Sequence, residues 1–228
     1  VQAGVLLFDG TTGSLVGACE ANTLTTRRTA AASAVAAKRL ARADARRLLV
    51  VGSGALAPMA VHAHAHVRTF DTIEVWGRRP ERAAAVVDAV AAEGVEAHVA
   101  DDLDAAVAAA DVISCVTGAT EPLVKGALLR AGAHIDLVGG FNPTMREADD
   151  EVIRRASVFV DTYDDAMLAG DIAQPLESGL LTRDDLLADL AGLVAGDHPG
   201  RTSDDEITVF MSSGPALEDL AAARLACG

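Results

Sequence analysis

Apolar residues run along this chain in short uninterrupted blocks separated by helix-forming stretches, and the order of the blocks predicts the architecture. Near the start, VQAGVLLFD and SLVGACE flank the turn-rich segment FDGTTGS, which predicts a β-hairpin. Thr25 is placed to cap a long helix, TRRTAAASAVAAKRLARA, composed mostly of strong helix formers. From Arg47 the chain alternates: LLVVG, a helix over 55–67, TIEVW, a helix over 80–92, VEAHV, a helix over 103–109, DVISCV, a helix over 126–131, and HIDLVG. Strands apolar on both faces, separated by helices, predict an α/β fold with a doubly wound parallel sheet of the Rossmann type. SVFVD at 157–161 reads as a sixth strand. Helices at 164–170 and 183–195 follow, then the polar loop GDHPGRTSDDE, a strand within ITVFMSSG (207–214) and a closing helix over 215–226. Both ends of the chain lie outside the alternation, so 1–42 and 212–228 are assigned together to a second domain and 43–211 to the Rossmann domain. The chain opens without Met on Val1, inside the first expected strand, and a preceding segment is expected.

The block LLVVGSGALA gives the first chemical assignment. A buried strand runs into Gly52-x-Gly54-x-x-Ala57 and then into an apolar helix, as a dinucleotide pyrophosphate requires. Gly52 permits the tight turn, Gly54 lets the backbone approach the phosphates, and Ala57 lets the helix pack close with its positive end on the anion. Ala55 and Leu56 belong to the same phosphate loop. At the end of the next strand an NAD(H) site usually carries Asp or Glu for the ribose hydroxyls. Here Gly77 is followed by Arg78 and Arg79, whose guanidinium groups suit a 2′-phosphate. NADP(H) is therefore the expected cofactor, with NAD(H) the alternative.

Composition narrows the partners. Among 228 residues, half are hydrophobic and only 3% aromatic, so the core must be built from Ala, Val and Leu. A formal charge of −14 argues against nucleic acid or an anionic membrane, and makes a local arginine cluster more informative. Cys19, Cys115 and Cys227 lack CxxC spacing, and neither a signal peptide nor an apolar run of about 18 residues is visible, so a cytoplasmic setting is expected. No metal is expected. In VHAHAHV only His62 and His66 would share a helix face, and Asp204-Asp205-Glu206 reads as a solvated loop.

The strings LTTRRTAAASAVAAKRLAR, VVGSGALA, DVISCVTGATEP, LVGGFNPTMREAD and PGRTSDDEITVFMSSGPALEDLAAA resemble the ornithine cyclodeaminase and mu-crystallin superfamily across essentially the whole chain. The resemblance implies that the second domain serves dimerisation and substrate binding, with a homodimer as the assembly. It also implies a further N-terminal stretch of about a hundred residues that grips the substrate carboxylate. Arg28 matches the arginine of the family's RTAA string, near the cofactor phosphates and substrate. Val116, Thr117 and Gly118 would end a strand at the cofactor crevice. Val138, Gly139 and Gly140 would form the floor beneath the nicotinamide, with Met145, Ser212 and Ser213 nearby.

One departure bears on the chemistry. Cyclodeaminases of the family place a proton-transferring Asp where this chain has Phe141, in GGFNPTMRE. Phenylalanine has no proton to exchange but can wall an apolar ring against the nicotinamide. GGFNPTMRE resembles the branch that reduces Δ1-pyrroline-2-carboxylate and Δ1-piperideine-2-carboxylate, which makes a small cyclic imino acid the expected ligand. The alternatives are a cyclodeaminase or alanine-type amino-acid dehydrogenase, and a non-catalytic NADP-binding crystallin-like protein.

Overall fold

A computed structural model describes residues 3–227. Strands β1 (Gly4–Phe8) and β2 (Leu15–Glu20) pair antiparallel as a hairpin with a bulge near Leu7. Val1 and Gln2, expected in its first strand, lie outside the described residues. Helix α1 (Asn22–Leu40) begins earlier than expected. The Glu20 carboxylate accepts hydrogen bonds from the backbone N–H groups of Asn22 and Thr23, so the cap comes from the preceding strand and not from Thr25.

The Rossmann expectation holds. Strands β3 (Arg47–Val51), β4 (Thr72–Trp76), β5 (His98–Val99), β6 (Val112–Cys115) and β7 (His134–Leu137) are joined by helices α2 (Ala57–Val67), α3 (Pro80–Ala92) and α4 (Leu103–Ala109). The sheet continues with β8 (Ala156–Val160), β9 (Leu186–Asp189) and β10 (Ile207–Met211). Among the described residues it is eight-stranded, in the order β5-β4-β3-β6-β7-β10-β8-β9, with every pairing parallel. The strand expected sixth, β8, does not touch β7; β10 lies between them.

Period-two packing explains the uniform apolar strands. Leu49 and Val51 of β3 join a core with Val107, Ile113 and Ile135 on one face, whereas Leu48 and Val50 join Ala60, Val61 and Val86 on the other. A third cluster joins Ala36 and Leu40 of α1 to Phe159, Phe210 and Leu193. Arg201 fastens the end of α1 to the sheet by donating to the carbonyls of Leu40 (2.6 Å), Gly132 (3.0 Å) and Ala133 (3.2 Å).

Three expected helices differ. Residues 126–131 form only a 3-10 turn at Gly126–Leu128, where a Cβ on Gly126 would collide with the backbone of Glu151 and Val152. The helix expected over 164–170 shortens to α6 (Tyr163–Ala166), which follows α5 (Asp150–Arg155), and a separate α7 (Gly170–Ser178) begins where it was expected to end. The helix expected over 183–195 is a 3-10 turn, β9 and α8 (Leu190–Ala195). Leu186 and Ala188 turn inward onto the sheet while Leu187 faces out, so pairing with β8 overrides the helical propensity of LLADLAGL. The closing helix α9 (Ala216–Cys227) lies against the hairpin and α1.

Candidate functional site

The C-terminal ends of the strands form a row, and the site is built along it, as expected of an open parallel sheet. After β3 the chain turns at Gly52, with φ +137, where a Cβ would stand 2.7 Å from the Val116 carbonyl oxygen. Any other residue would force β3 and β6 apart at this turn. Two residues on, a Cβ at Gly54 would meet nothing within 4 Å, so open space faces the loop there. Ala55 is exposed and Leu56 half-buried at the entry to α2, and Ala57 is fully buried beneath it. No side chain caps α2, Pro58 brings no N–H, and the N–H groups of Ala57 and Ala60 donate to the Gly54 and Leu56 carbonyls at 3.1 and 2.9 Å, so among the described residues the first turn leaves the Met59 N–H to meet an anion.

At the end of β4, Gly77 gives room to Ser53, whose Oγ would lie 2.6 Å from a Cβ at that position. Arg78, Arg79 and Arg82 then face a cleft of about 240 Å³, together with the glycine loop and Val116 to Ala119. All three arginines are exposed, and none of their guanidinium groups has an ion-pair or hydrogen-bond partner among the described residues, in a protein of net charge −14. Arg82 escaped the sequence reading. The signal was present, because in α3 it stands one helical turn after Arg78 and Arg79.

Val116, Thr117 and Gly118 form the cleft wall beyond β6. Val138, Gly139 and Gly140 follow β7 directly alongside, and a Cβ on Gly139 would collide with the Thr117 carbonyl oxygen. Between these two strand ends lies the carboxylate of Glu147, fully buried. Its Oε1 accepts from Thr117 N (2.6 Å), and its Oε2 from Val138 N (3.0 Å) and Gly139 N (2.8 Å). Burial, with the neighbouring Asp171 carboxylate second, pushes the Glu147 carboxyl up to about 8. Asp171 accepts from the backbone N–H of Glu147 and Ala148, each at 3.0 Å, and burial raises it to about 6.

The loop from Gly140 to Ala148 is folded by the Asn142 side chain, which accepts from Thr144 N (3.0 Å), Thr144 Oγ1 (2.8 Å) and Met145 N (3.2 Å). Met145 reaches the space beside Gly118 and Gly140. Phe141 stands 64% exposed at the same edge of the sheet.

Further along the row, Ser212 is buried at the end of β10. Asp161, at the end of β8, accepts from Ser213 N (2.6 Å), Ser213 Oγ (3.0 Å) and Gly214 N (2.7 Å), and burial raises its pKa. Arg28 lies where Gly214 has no side chain and pairs with Glu218 (3.0 Å) and Asp219 (2.8 Å) on α9. It joins α1 to α9 and does not line the cleft of the arginines. Burial raises Glu218 to about 7, against the opposing pull of Arg28.

The structure thus brings Gly52, Gly54, Arg78, Arg79, Val116, Thr117 and Gly118 around one cleft and sets Val138, Gly139, Gly140 and Met145 next to it. The histidines of α2 separate as helical spacing requires. His64 enters the core with Nε2 3.1 Å from Asp136 Oδ2, while His62 lies 3.3 Å from Glu93 and His66 is exposed. In the acidic loop, Glu206 accepts from Thr202 Oγ1 (2.9 Å) and Ser203 N (3.3 Å), while Asp204 and Asp205 are exposed. The sequence reading singles out neither Glu147, although it lies in the GGFNPTMRE string, nor Asp171.

Comparison with known proteins agrees with this geometry. The Δ1-pyrroline-2-carboxylate reductase of Paracoccus denitrificans is 40% identical over 224 residues, covering 96% of this chain and 70% of the relative. The solved structure of the Thermococcus litoralis Δ1-pyrroline-2-carboxylate reductase, in complex with NADH and L-proline, superposes with a TM-score of 0.95. It is 34% identical and is matched over 99% of this chain and 71% of its own. An archaeal alanine dehydrogenase dimer with bound NAD gives a TM-score of 0.94 at 30% identity, over 99% of this chain and 70% of its own. The ornithine cyclodeaminase/mu-crystallin family matches residues 1–227, which takes in the glycine turn, the arginine cleft and the Glu147 loop alike, and the chain belongs to that family.

Proposed function

We propose that this protein is an NADPH-dependent reductase of small cyclic ketimine carboxylates, with Δ1-pyrroline-2-carboxylate as the representative substrate. The observation that carries the reading is the cleft at the end of β4, where a glycine turn, an uncapped helix start and three arginines with unpartnered guanidinium groups converge, with no carboxylate among the described residues that line it. The residues fit a nicotinamide dinucleotide phosphate. Gly54 leaves space for the pyrophosphate, the backbone N–H groups of Ala55, Leu56 and Met59, unpartnered among the described residues, are open to it, and Arg78, Arg79 and Arg82 suit the 2′-phosphate. A bound cofactor would supply hydride to C2 of the imine, whose nitrogen takes up one proton to give the cyclic amine. Val138, Gly139 and Gly140 would bear the nicotinamide end, and Met145, Ser212 and Ser213 would border it.

Phe141 directs the chemistry. In place of a proton-transferring carboxylate it offers an apolar wall, which suits reduction of a preformed ring and not the oxidation, closure and deamination of a diamino acid. The likeness to the two Δ1-pyrroline-2-carboxylate reductases supports the same choice. The likeness to the alanine dehydrogenase favours a second reading, an NAD-linked amino-acid dehydrogenase. In either reading, residues 1–42 and 212–228 serve as the dimerisation and substrate unit of a homodimer. Support comes from exposed apolar side chains grouped there, including Leu6, Phe8, Leu15, Leu217 and Leu225.

The test measures cofactor oxidation with Δ1-pyrroline-2-carboxylate and ammonia release from ornithine. We expect turnover with the imine, no ammonia, and at least a tenfold preference for NADPH over NADH. That preference corresponds to roughly 1.5–3 kcal/mol per charged contact, reduced by solvent exposure. Phe141→Asp should lower imine reduction because a carboxylate beside the ring must be desolvated or admit water. Alanine oxidation with NAD+ in place of imine reduction would favour the second reading, and binding without turnover would leave a non-catalytic protein.

A further inference from the structure

We propose that Glu147 is a positioning residue, whose carboxylate clamps the ends of β6 and β7 at the separation needed by the nicotinamide floor. The inference rests on the reading of this crevice as a dinucleotide site. Parallel strands lose mutual support where their ladder ends, and here the last ladder bond is Val138 N to Cys115 O, at 3.0 Å. Beyond it the backbone donors of Thr117 and Gly139 have no strand partner, yet they stand where the cofactor must be held. Glu147 replaces the missing carbonyls with one side chain: Oε1 takes Thr117, and Oε2 takes Gly139 and shares the Val138 N–H with Cys115.

The clamp is itself held from three sides. Asp171 on α7 takes the N–H of Glu147 and of Ala148, and the Glu147 carbonyl accepts from Leu123 N (2.8 Å) and Val124 N (2.9 Å). Arg146, next in the chain, donates to Gln174 Oε1 and pairs with Asp150, with its Nε 4.0 Å from Asp171. A Cβ on Gly139 would lie 2.6 Å from Glu147 Oε1, so the floor glycine and the carboxylate occupy complementary space. The charged and titratable groups around Glu147 are thus Asp171 and Arg146, with the Cys115 thiol on β6. Burying a carboxyl group so completely is expensive in either protonation state, and a polar residue serving only to fill space would be replaced by an apolar one at little loss. Three backbone donors on two strand ends give it a specific task.

Glu147→Gln tests the task because its carboxamide nitrogen cannot accept a hydrogen bond, which leaves at least one of the three donors unpaired. Amide exchange is measured on the cofactor-free protein, and NADPH affinity and imine kinetics on the same variant. We expect exchange at Thr117 and Gly139, which have no other acceptor among the described residues, to accelerate at least tenfold while Val138, which keeps Cys115, changes less and β3 and β4 are unchanged, with a tenfold weaker Kd for NADPH and less than a twofold change in the imine KM. Asp171→Asn should move the same amides by a smaller factor, and it carries the test if Glu147→Gln does not fold. Unchanged exchange at those amides overturns the clamp. Faster exchange with unaltered NADPH affinity overturns its bearing on the cofactor. Wild-type protein that binds no nicotinamide dinucleotide sinks the functional reading, and the exchange result then decides the clamp by itself.

Discussion

The parallel sheet and the hairpin–α9 unit are both made of apolar strands against helices, yet only the sheet encloses its apolar residues. Leu48, Leu49, Val50 and Val51 of β3 are wholly buried, because helices cover both faces. In the hairpin, Val5, Leu7 and Cys19 turn towards α9, while Leu6 is 61% and Phe8 55% exposed on the other side. α9 buries Ala223 and leaves Leu225 89% exposed. Two strands and one helix bury too little to stand alone. The sheet owes its order to its own two-sided packing, whereas the hairpin–α9 unit is held in place by few and specific ties.

The strongest way to break this contrast is within the sheet. Gly52→Ala places a methyl group against the Val116 carbonyl in a backbone conformation that L side chains rarely adopt. We expect a loss of about 2–4 kcal/mol in denaturant unfolding. Gly54→Ala, two residues away in open space, should leave stability within about 0.5 kcal/mol and instead weaken binding of the nicotinamide cofactor. Equal destabilisation by the two would remove the distinction between a packing glycine and an access glycine.

Next in size is Arg28→Ala, which strikes the tie between α1 and α9. Arg28 is 11% exposed in its side chain, and its removal strands the carboxylates of Glu218 and Asp219. The expected cost is roughly 1–3 kcal/mol, confined to the hairpin unit. Amide exchange should rise in β1, β2 and α9 and stay unchanged in β3 and β6; uniform acceleration would mean that the two regions unfold as one.

How far the residues announced this structure varies with the locality of the cause. α3 appears at its expected bounds because Pro80 opens it, and α4 because Asp102 caps it through Ala105 N at 3.0 Å. α7 was missed because Pro175 sits inside it, and β9 because only pairing with β8 makes LLAD a strand. In the site, Gly52, Gly54 and the Arg78-Arg79 pair were legible from spacing alone. Glu147 and Asp171 were not, since their partners are backbone groups just past the ends of β6 and β7 and in the loop after β7, brought close only by the fold.

The smallest expected effect is that of pH, and it sharpens the comparison because raised carboxyls lie in both regions. In the folded protein Glu147 is raised to about 8, Asp171 to about 6 and Glu218 to about 7, from ordinary values of 4.5, 3.8 and 4.5. The native state then holds protons that the unfolded chain has released. Their contribution to stability is complete below the unfolded values and is lost as pH rises through the folded ones. The urea midpoint should therefore fall between about pH 5 and pH 8, and Glu147→Gln should flatten the upper part of that decline. A midpoint that climbs over this range would show that these groups are ionised when folded.

The position of β10 has a temporal consequence. β5, β4, β3, β6 and β7 are joined by nearby crossovers and can assemble as the chain emerges, but β8 and β9 find no edge to join. Their route to the sheet is β10, which comes after both of them and must insert against β7 on one side and β8 on the other. Until it does, the exposed edge of β7 and the apolar faces of β8 are open to other chains. Folding should accordingly proceed in two stages, a fast closure of the nucleotide half and a slower one gated by this late strand, with aggregation competing in the interval.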